Sequence, residues 1–291
     1  MRVGKIAQTN IISVHPHDRL DKAIMLMEEH QIRHLPVIDA RRPVGMISDR
    51  DLLVAVGWKL SPDRGASTMP KAYNHPRQVR EIMSRPALYI DADATVHTAA
   101  RVMVRGRFHA LPVLYGERVL GVVTSSDLLQ TAVREFANTD ALQTRVSVYM
   151  HCDVVTAGPR DTIHQVASQM HDAGIRHLPV LSDGALIGIL SDRDIRRACG
   201  VDQAEDARAE SEGRVYIGAT EVIDIMTPAP VTIDHNATAR DAMIQLAKHR
   251  IGCLPVIECN RLVGLFSETD ALHIIADLED AHAQQGSWQA S

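Results

Sequence analysis

A serine or threonine followed three residues later by an aspartate recurs four times, as Ser48 and Asp51, Thr124 and Asp127, Ser191 and Asp194, and Ser267 and Asp270. At the start of a helix this spacing forms a capping box, in which the hydroxyl caps the helix and the acid reaches back to a free backbone donor. The same place suits a ligand. A helix N-terminus presents unpaired N–H groups and the positive end of its dipole to phosphate, and a carboxylate can accept two hydroxyl hydrogen bonds from a ribose. Capping alone accounts for the motif, so it does not separate sites that bind from sites that only fold.

The cations do separate them. Arg33 and His34 precede the first Leu-Pro-Val tripeptide and Arg176 and His177 the third, and at the corresponding place the second copy is read as Phe108-His109 and the fourth as Gly252-Cys253. Arg50 and Arg193 also stand immediately before the aspartates of the first and third copies, where the others have Ser126 and Thr269. A guanidinium can grip phosphate bidentately, and each charge-assisted hydrogen bond contributes about 1.5 to 3 kcal/mol. An arginine at a helix end can also be a surface residue favoured by the dipole. Its recurrence in two copies and absence from the other two favours a binding role. An imidazole with an ordinary pKa near 6.5 could add pH sensitivity.

These residues are carried by a repeat. Leu-Pro-Val begins at Leu35, Leu111, Leu178 and Leu254, at spacings of 76, 67 and 76 residues, so a pair has been duplicated at an offset of 143. Each unit opens with a short β-rich run (11–14, 87–90, 154–156, 230–233) and a polar turn whose Asp18, Asp93, Asp161 or Asn236 is expected to cap a helix. The helix shows an apolar stripe, for example Val96, Ala99, Ala100 and Met103. Two apolar runs with hairpin spacing follow, then a second helix. The order is strand, helix, strand, strand, helix in about fifty residues, too small a core to stand alone. The predicted fold is α/β: four such units as two tandem pairs with pseudo-twofold symmetry.

At 291 residues and 45% apolar content the chain can bury the cores this needs. A formal charge of −5 offers no general basic surface for nucleic acid, and 3% aromatic residues leave little for base stacking. The four cysteines lack paired C-x-x-C spacing, and no signal-peptide core stands in the first 30 residues, so a cytoplasmic, reduced protein without membrane association is expected. His15, His17, His151 and Cys152 fall short of a metal-ligand pattern, and none is assigned to a metal.

Four copies of h-x-x-L-P-V with a following G-h-h-S/T-x-x-D resemble the CBS domain family. The resemblance implies tandem pairs, often called Bateman modules, which can form a disc within one chain, as in the γ subunit of AMP-activated protein kinase, or dimerise between chains. It divides the chain into repeat 1 (1–53), an insert (54–78), repeat 2 (79–135), repeat 3 (146–196), a second insert (197–221), repeat 4 (222–278) and a tail (279–291). The inserts are of opposite charge, basic in the first and acidic in the second, which fits either a partner contact or independent drift.

The resemblance further implies adenosine-containing ligands in clefts between paired units, with the aspartate on the ribose, the Ser/Thr on ribose or phosphate, and the Arg-His pair facing phosphates. The expected ligand-binding residues are Arg33, His34, Ser48, Arg50, Asp51, Arg176, His177, Ser191, Arg193 and Asp194, with His109, Thr124, Asp127, Ser267 and Asp270 weaker. The function expected is a non-catalytic regulatory module for AMP, ADP or ATP, requiring no cofactor, that signals to a regulated partner or works as a homodimer. The alternatives are a structural partner-binding protein with empty clefts, a binder of S-adenosylmethionine or NADH, and an enzyme of the inosine monophosphate dehydrogenase kind. No catalytic constellation stands outside the repeats to support the last.

Overall fold

The computed structural model describes residues 1–49, 51–52, 77–198 and 221–286. Arg50, most of both inserts with their charge contrast, and the end of the tail lie outside them.

Every repeat is built on one hairpin in one register. In repeat 1, β1 (His34–Asp39) runs antiparallel to β2 (Arg42–Ser48), with His34 opposite Ser48. In repeat 2, β3 (Ile90–Asp91) lies parallel to β4 (Ala110–Tyr115), which pairs with β5 (Arg118–Thr124) so that Ala110 faces Thr124. Repeat 3 pairs β6 (His177–Ser182) with β7 (Ala185–Ser191), and β7 with β8 (Thr227–Pro228). Repeat 4 repeats the plan of repeat 2 with β9 (Ile233–Asp234), β10 (Cys253–Glu258) and β11 (Arg261–Ser267). The register shifts just after the valine of each Leu-Pro-Val, a bulge that adds local twist. The opening strands are shorter than the sequence predicts: two residues in β3 and β9, and single bridges at Val14 and Ala157.

The apolar stripes lie on α1 (Leu20–Glu29), α2 (Val96–Gly106), α5 (Ile163–Asp172) and α8 (Ala239–His249). Val96, Ala99, Ala100 and Met103 are all buried, as are their counterparts in α5 and α8; only Ile24 of the predicted set in α1 stays partly exposed. The predicted caps need correction. Thr95, Thr162 and Thr238 cap α2, α5 and α8, accepting from Thr98, Gln165 and Asp241 N–H respectively, while α1 has no side-chain cap. Asp18 and Asp161 instead accept from the backbone N–H three residues earlier, and Asp93 and Asn236 donate their own N–H to Asp91 and Asp234. These four residues close the turn before the helix. The residue that follows the turn meets the first helical N–H groups.

After the second strand of each hairpin a further helix begins: α3 (Ser125–Glu135) in repeat 2, α6 (Asp192–Ala198) in repeat 3 and α9 (Glu268–Gly286) in repeat 4. Short helices α4 (Asp140–Gln143) and α7 (Val222–Ile225) lie in the connections.

The segment opening each repeat packs on its tandem neighbour. Val3 and Gly4 N–H donate to Ala94 and Ala92 of repeat 2, at 2.8 Å each, and Gln8 exchanges backbone hydrogen bonds with Val122. Conversely, Val79 N–H donates to Asp18, and Ser84 pairs with Met46, both of repeat 1. The second tandem pair repeats this exchange, with His151 on Leu265 and Val222 on Asp161. The close crossing explains a glycine of the motif. A Cβ on Gly121 would lie 2.5 Å from the Gln8 carbonyl oxygen, and one on Gly45 2.8 Å from that of Ser84.

The repeats sort into two compact units that each draw one repeat from each tandem pair. Unit 1 comprises 1–11, 88–154 and 231–291, holding repeats 2 and 4; unit 2 comprises 12–87 and 155–230, holding repeats 1 and 3. One continuous apolar core runs through unit 1, from Val3 and Met103 to Phe266 and Leu278. The Arg101 Nε–H donates to the Ala276 carbonyl at 3.2 Å, joining α2 to α9. In unit 2 the described residues form one apolar cluster on each repeat.

Candidate functional site

The cap geometry is the same in all four repeats. Ser48, Thr124, Ser191 and Ser267 each donate backbone N–H to Oδ2 of the aspartate three residues on, at 2.7 to 2.8 Å, and the hydroxyl donates to that same oxygen at 2.6 to 2.7 Å. The aspartate N–H returns to the hydroxyl at 3.3 to 3.4 Å. The capping box predicted from spacing is present at each position. It fixes each carboxylate through one oxygen and turns Oδ1 outward from the cap.

Unit 2 brings the cation-bearing copies together. Arg33 and His34 lead into β1, and Arg176 and His177 into β6, 143 positions apart in sequence. Arg33 and Arg176 are nevertheless both close enough to disfavour protonation of both histidines. Burial is the largest cause, pushing His34 down to about 4; Asp49 opposes it, and Arg33 and Arg176 add to it. Burial and then Arg176, Arg33 and Arg193 push His177 down to about 3. Positive charge from repeats 1 and 3 gathers here, beside the buried Asp49. An anion would relieve that repulsion and raise both pKa values.

Unit 1 has no arginine in the corresponding places, and the hairpin register corrects the sequence alignment there. Ser125 N–H donates to the His109 carbonyl as Asp49 does to Arg33, Asp192 to Arg176 and Glu268 to Gly252. His109 therefore stands in the place of Arg33, and Ala110, not His109, in that of His34. Matching histidine to histidine by type, in place of counting back from Leu111, produced the slip of one residue. Around His109 lies a buried acid. Glu268 accepts from Ser125 Oγ at 3.2 Å and Ser126 Oγ at 3.3 Å, and His109 Nδ1 lies 3.7 Å from it. The two serine hydroxyls of repeat 2 thus serve the buried acid of repeat 4, while His109 Nδ1 stays beyond hydrogen-bond distance of it. Burial and the Asp270 charge push the Cys253 thiol up, keeping it neutral.

Gln8, which no sequence motif marks, and His151, weighed in the sequence only as a metal ligand, also reach the site. Gln8 Nε2 donates to Asp127 Oδ1 at 3.0 Å, and His151 Nε2 lies 2.9 Å from Asp270 Oδ1. The two stand at the 143 offset, and Ser84 and Thr227 occupy the equivalent places beside repeats 1 and 3. That alternation between long and short side chains was visible in the sequence; what hid it was that the segment carrying each residue serves the neighbouring repeat.

The CBS domain pattern matches the chain at residues 3–57, 79–134, 146–200 and 222–277. The chain belongs to the CBS domain family. It is 27% identical over 285 residues to the protein MJ1225 of Methanocaldococcus jannaschii, covering 95% of this chain and 99% of that one. The crystal structure of MJ1225, described as a candidate archaeal homologue of γ-AMPK, superposes with a TM-score of 0.79 at 26% identity over 94% of this chain and 99% of that one. A conserved Pyrococcus horikoshii protein shares the fold at 20% identity and a TM-score of 0.63, over 94% of this chain and 100% of that one. An inosine-5'-monophosphate dehydrogenase of Korarchaeum cryptofilum matches 143 residues at 29% identity, 49% of this chain but only 26% of the enzyme. Among the described residues of this CBS protein no helix is long and apolar enough to cross a membrane.

Proposed function

We propose that this CBS protein is a cytoplasmic, non-catalytic regulatory module that binds an adenine nucleotide (AMP, ADP or ATP) in unit 2 and signals to a protein partner or a second copy. The reading gives the phosphates to Arg33, His34, Arg176, His177 and Arg193, and the ribose hydroxyls to Asp51 and Asp194. Ser48 and Ser191 orient those carboxylates, and Arg50 extends the cation set. One observation carries it: cations from repeats 1 and 3 share one environment, where Arg33 and Arg176 both add to the effect of burial on His34 and His177. Arg33, Arg176 and Arg193 would serve a phosphate as charge-assisted donors. The likeness to a candidate γ-AMPK homologue supports the same reading. The signal is a coupling free energy, typically about 1 to 3 kcal/mol, arising from different affinities of the ligand for two states.

Isothermal titration of ATP, ADP and AMP tests it, with S-adenosylmethionine and NADH as competitors. Losing two hydrogen bonds to a charged acceptor in the Asp51→Ala, Asp194→Ala variant should weaken nucleotide binding at least about tenfold. Unaltered binding overturns the site.

A further inference from the structure

Gln8 and His151 set repeats 2 and 4 apart from repeat 3 in a way that the arginines do not explain. A carboxylate has about four lone-pair positions, two on each oxygen. In every repeat the cap fills both on Oδ2, with one N–H and one O–H donor. Only Oδ1 is left to receive the two hydroxyls of a ribose. In repeat 2 Gln8 Nε2 already donates to it at 3.0 Å, and in repeat 4 His151 Nε2 lies against it at 2.9 Å as an ion-pair contact. Among the described residues no side chain reaches Asp194 Oδ1 in repeat 3. The neighbouring short side chain Ser84, beside repeat 1, turns to the Met46 carbonyl at 3.1 Å.

We infer that Gln8 and His151 are specificity-determining residues: each holds the free oxygen of a repeat aspartate, so that the repeat-2 and repeat-4 clefts admit a vicinal diol only when that side chain is displaced. The inference rests on the reading that these aspartates receive a ribose. The side chains are free to move without disturbing the fold, because the crossing beside Gly121 and Gly264 is made by backbone atoms of the same residues. Asp270 is 6% exposed, and the imidazole beside its Oδ1 belongs to a side chain that is 73% exposed.

The test exchanges these residues for the one that repeat 1 meets at this place. Adenosine, which carries the diol without a phosphate, and AMP are titrated into the wild type and into Gln8→Ser, His151→Ser and the double variant. Freeing one hydrogen bond to a charged acceptor should tighten adenosine binding about tenfold to a hundredfold per site. Each single variant should gain one binding equivalent and the double variant two. The gain should vanish when Asp127→Ala and Asp270→Ala are added, and persist when Asp51→Ala and Asp194→Ala are added. This last arm separates the two proposals, since it reads unit 1 even where unit 2 binds nothing. Unchanged stoichiometry and affinity overturn the inference, and so does weaker binding, which would make Gln8 and His151 ligand contacts. If the double variant melts at a lower temperature, the single variants decide, each against its own aspartate.

Discussion

Acidification should destabilise unit 2 through two histidines, by an amount that the geometry sets. An unfolded histidine has a pKa near 6.5, whereas His34 and His177 in the folded chain lie at about 4 and about 3. Between those limits the unfolded state binds more protons than the folded state, so stability rises with pH. The contribution is complete above pH 6.5 and is lost as pH falls toward 4. At pH 5.5 the unfolded rings are about nine-tenths protonated and the folded ones nearly all neutral. Each ring then costs about 1.4 kcal/mol, and the pair about 3 kcal/mol. For a unit of this size that is a fall in melting temperature of roughly 6 to 12 °C between pH 7.5 and 5.5. The value depends little on the folded pKa so long as it lies below about 5. The assay is thermal melting of the wild type and of His34→Gln, His177→Gln at both pH values, with and without ATP. The variant should be flatter by the amount given. ATP should stabilise the wild type more at pH 5.5 than at 7.5, since phosphate beside the rings restores their protonation. Parallel pH dependence of wild type and variant would refute the placement of these rings in a buried, cation-rich environment.

Two shorter predictions follow from the same structure. Arg176→Gln should raise the imidazole titration midpoints of both His34 and His177 in NMR spectra, although His34 lies 142 residues away in sequence, because the guanidinium opposes protonation of both. Gly121→Ala should cost about 1 to 3 kcal/mol in urea unfolding, since the new methyl would meet the Gln8 carbonyl oxygen at 2.5 Å and the crossing strand must shift.

The sequence made the local plan legible. Hairpin spacing, the stripes on α2, α5 and α8, and the capping box at Ser48, Thr124, Ser191 and Ser267 are set by neighbours within a few residues, and such patterns survive in one dimension. The grouping of repeats did not show. The apolar positions that join repeat 2 to repeat 4 have counterparts of the same character in the other copies, so no pattern says which copy packs on which. The exchange of opening segments was hidden for a related reason: Val3, Val79, Val146 and Val222 look like the first core residue of the repeat they precede, and each is buried on the neighbour. His109 misled because chemical likeness outweighed counting. The turn acids Asp18 and Asp161 misled because closing a turn and capping a helix call for the same side chain.

The exchanged segments also bear on the order in which the chain can fold as it is made. Repeat 1 lacks the Val79–Ser84 edge until those residues leave the ribosome, by which time most of its own helix and hairpin have long been available. Repeat 2 has the opposite history, since the residues that flank its sheet, Val3 to Gln8, are synthesised some eighty residues before the repeat itself. Neither member of a tandem pair therefore has its full set of sheet edges until the second has been made. A chain cut at residue 75 would leave repeat 1 with an open sheet edge and residues 1–11 with nothing to cover. A single repeat made alone is short of one sheet edge, and repeat 2 is short of the core it shares with repeat 4 until the whole chain has been made.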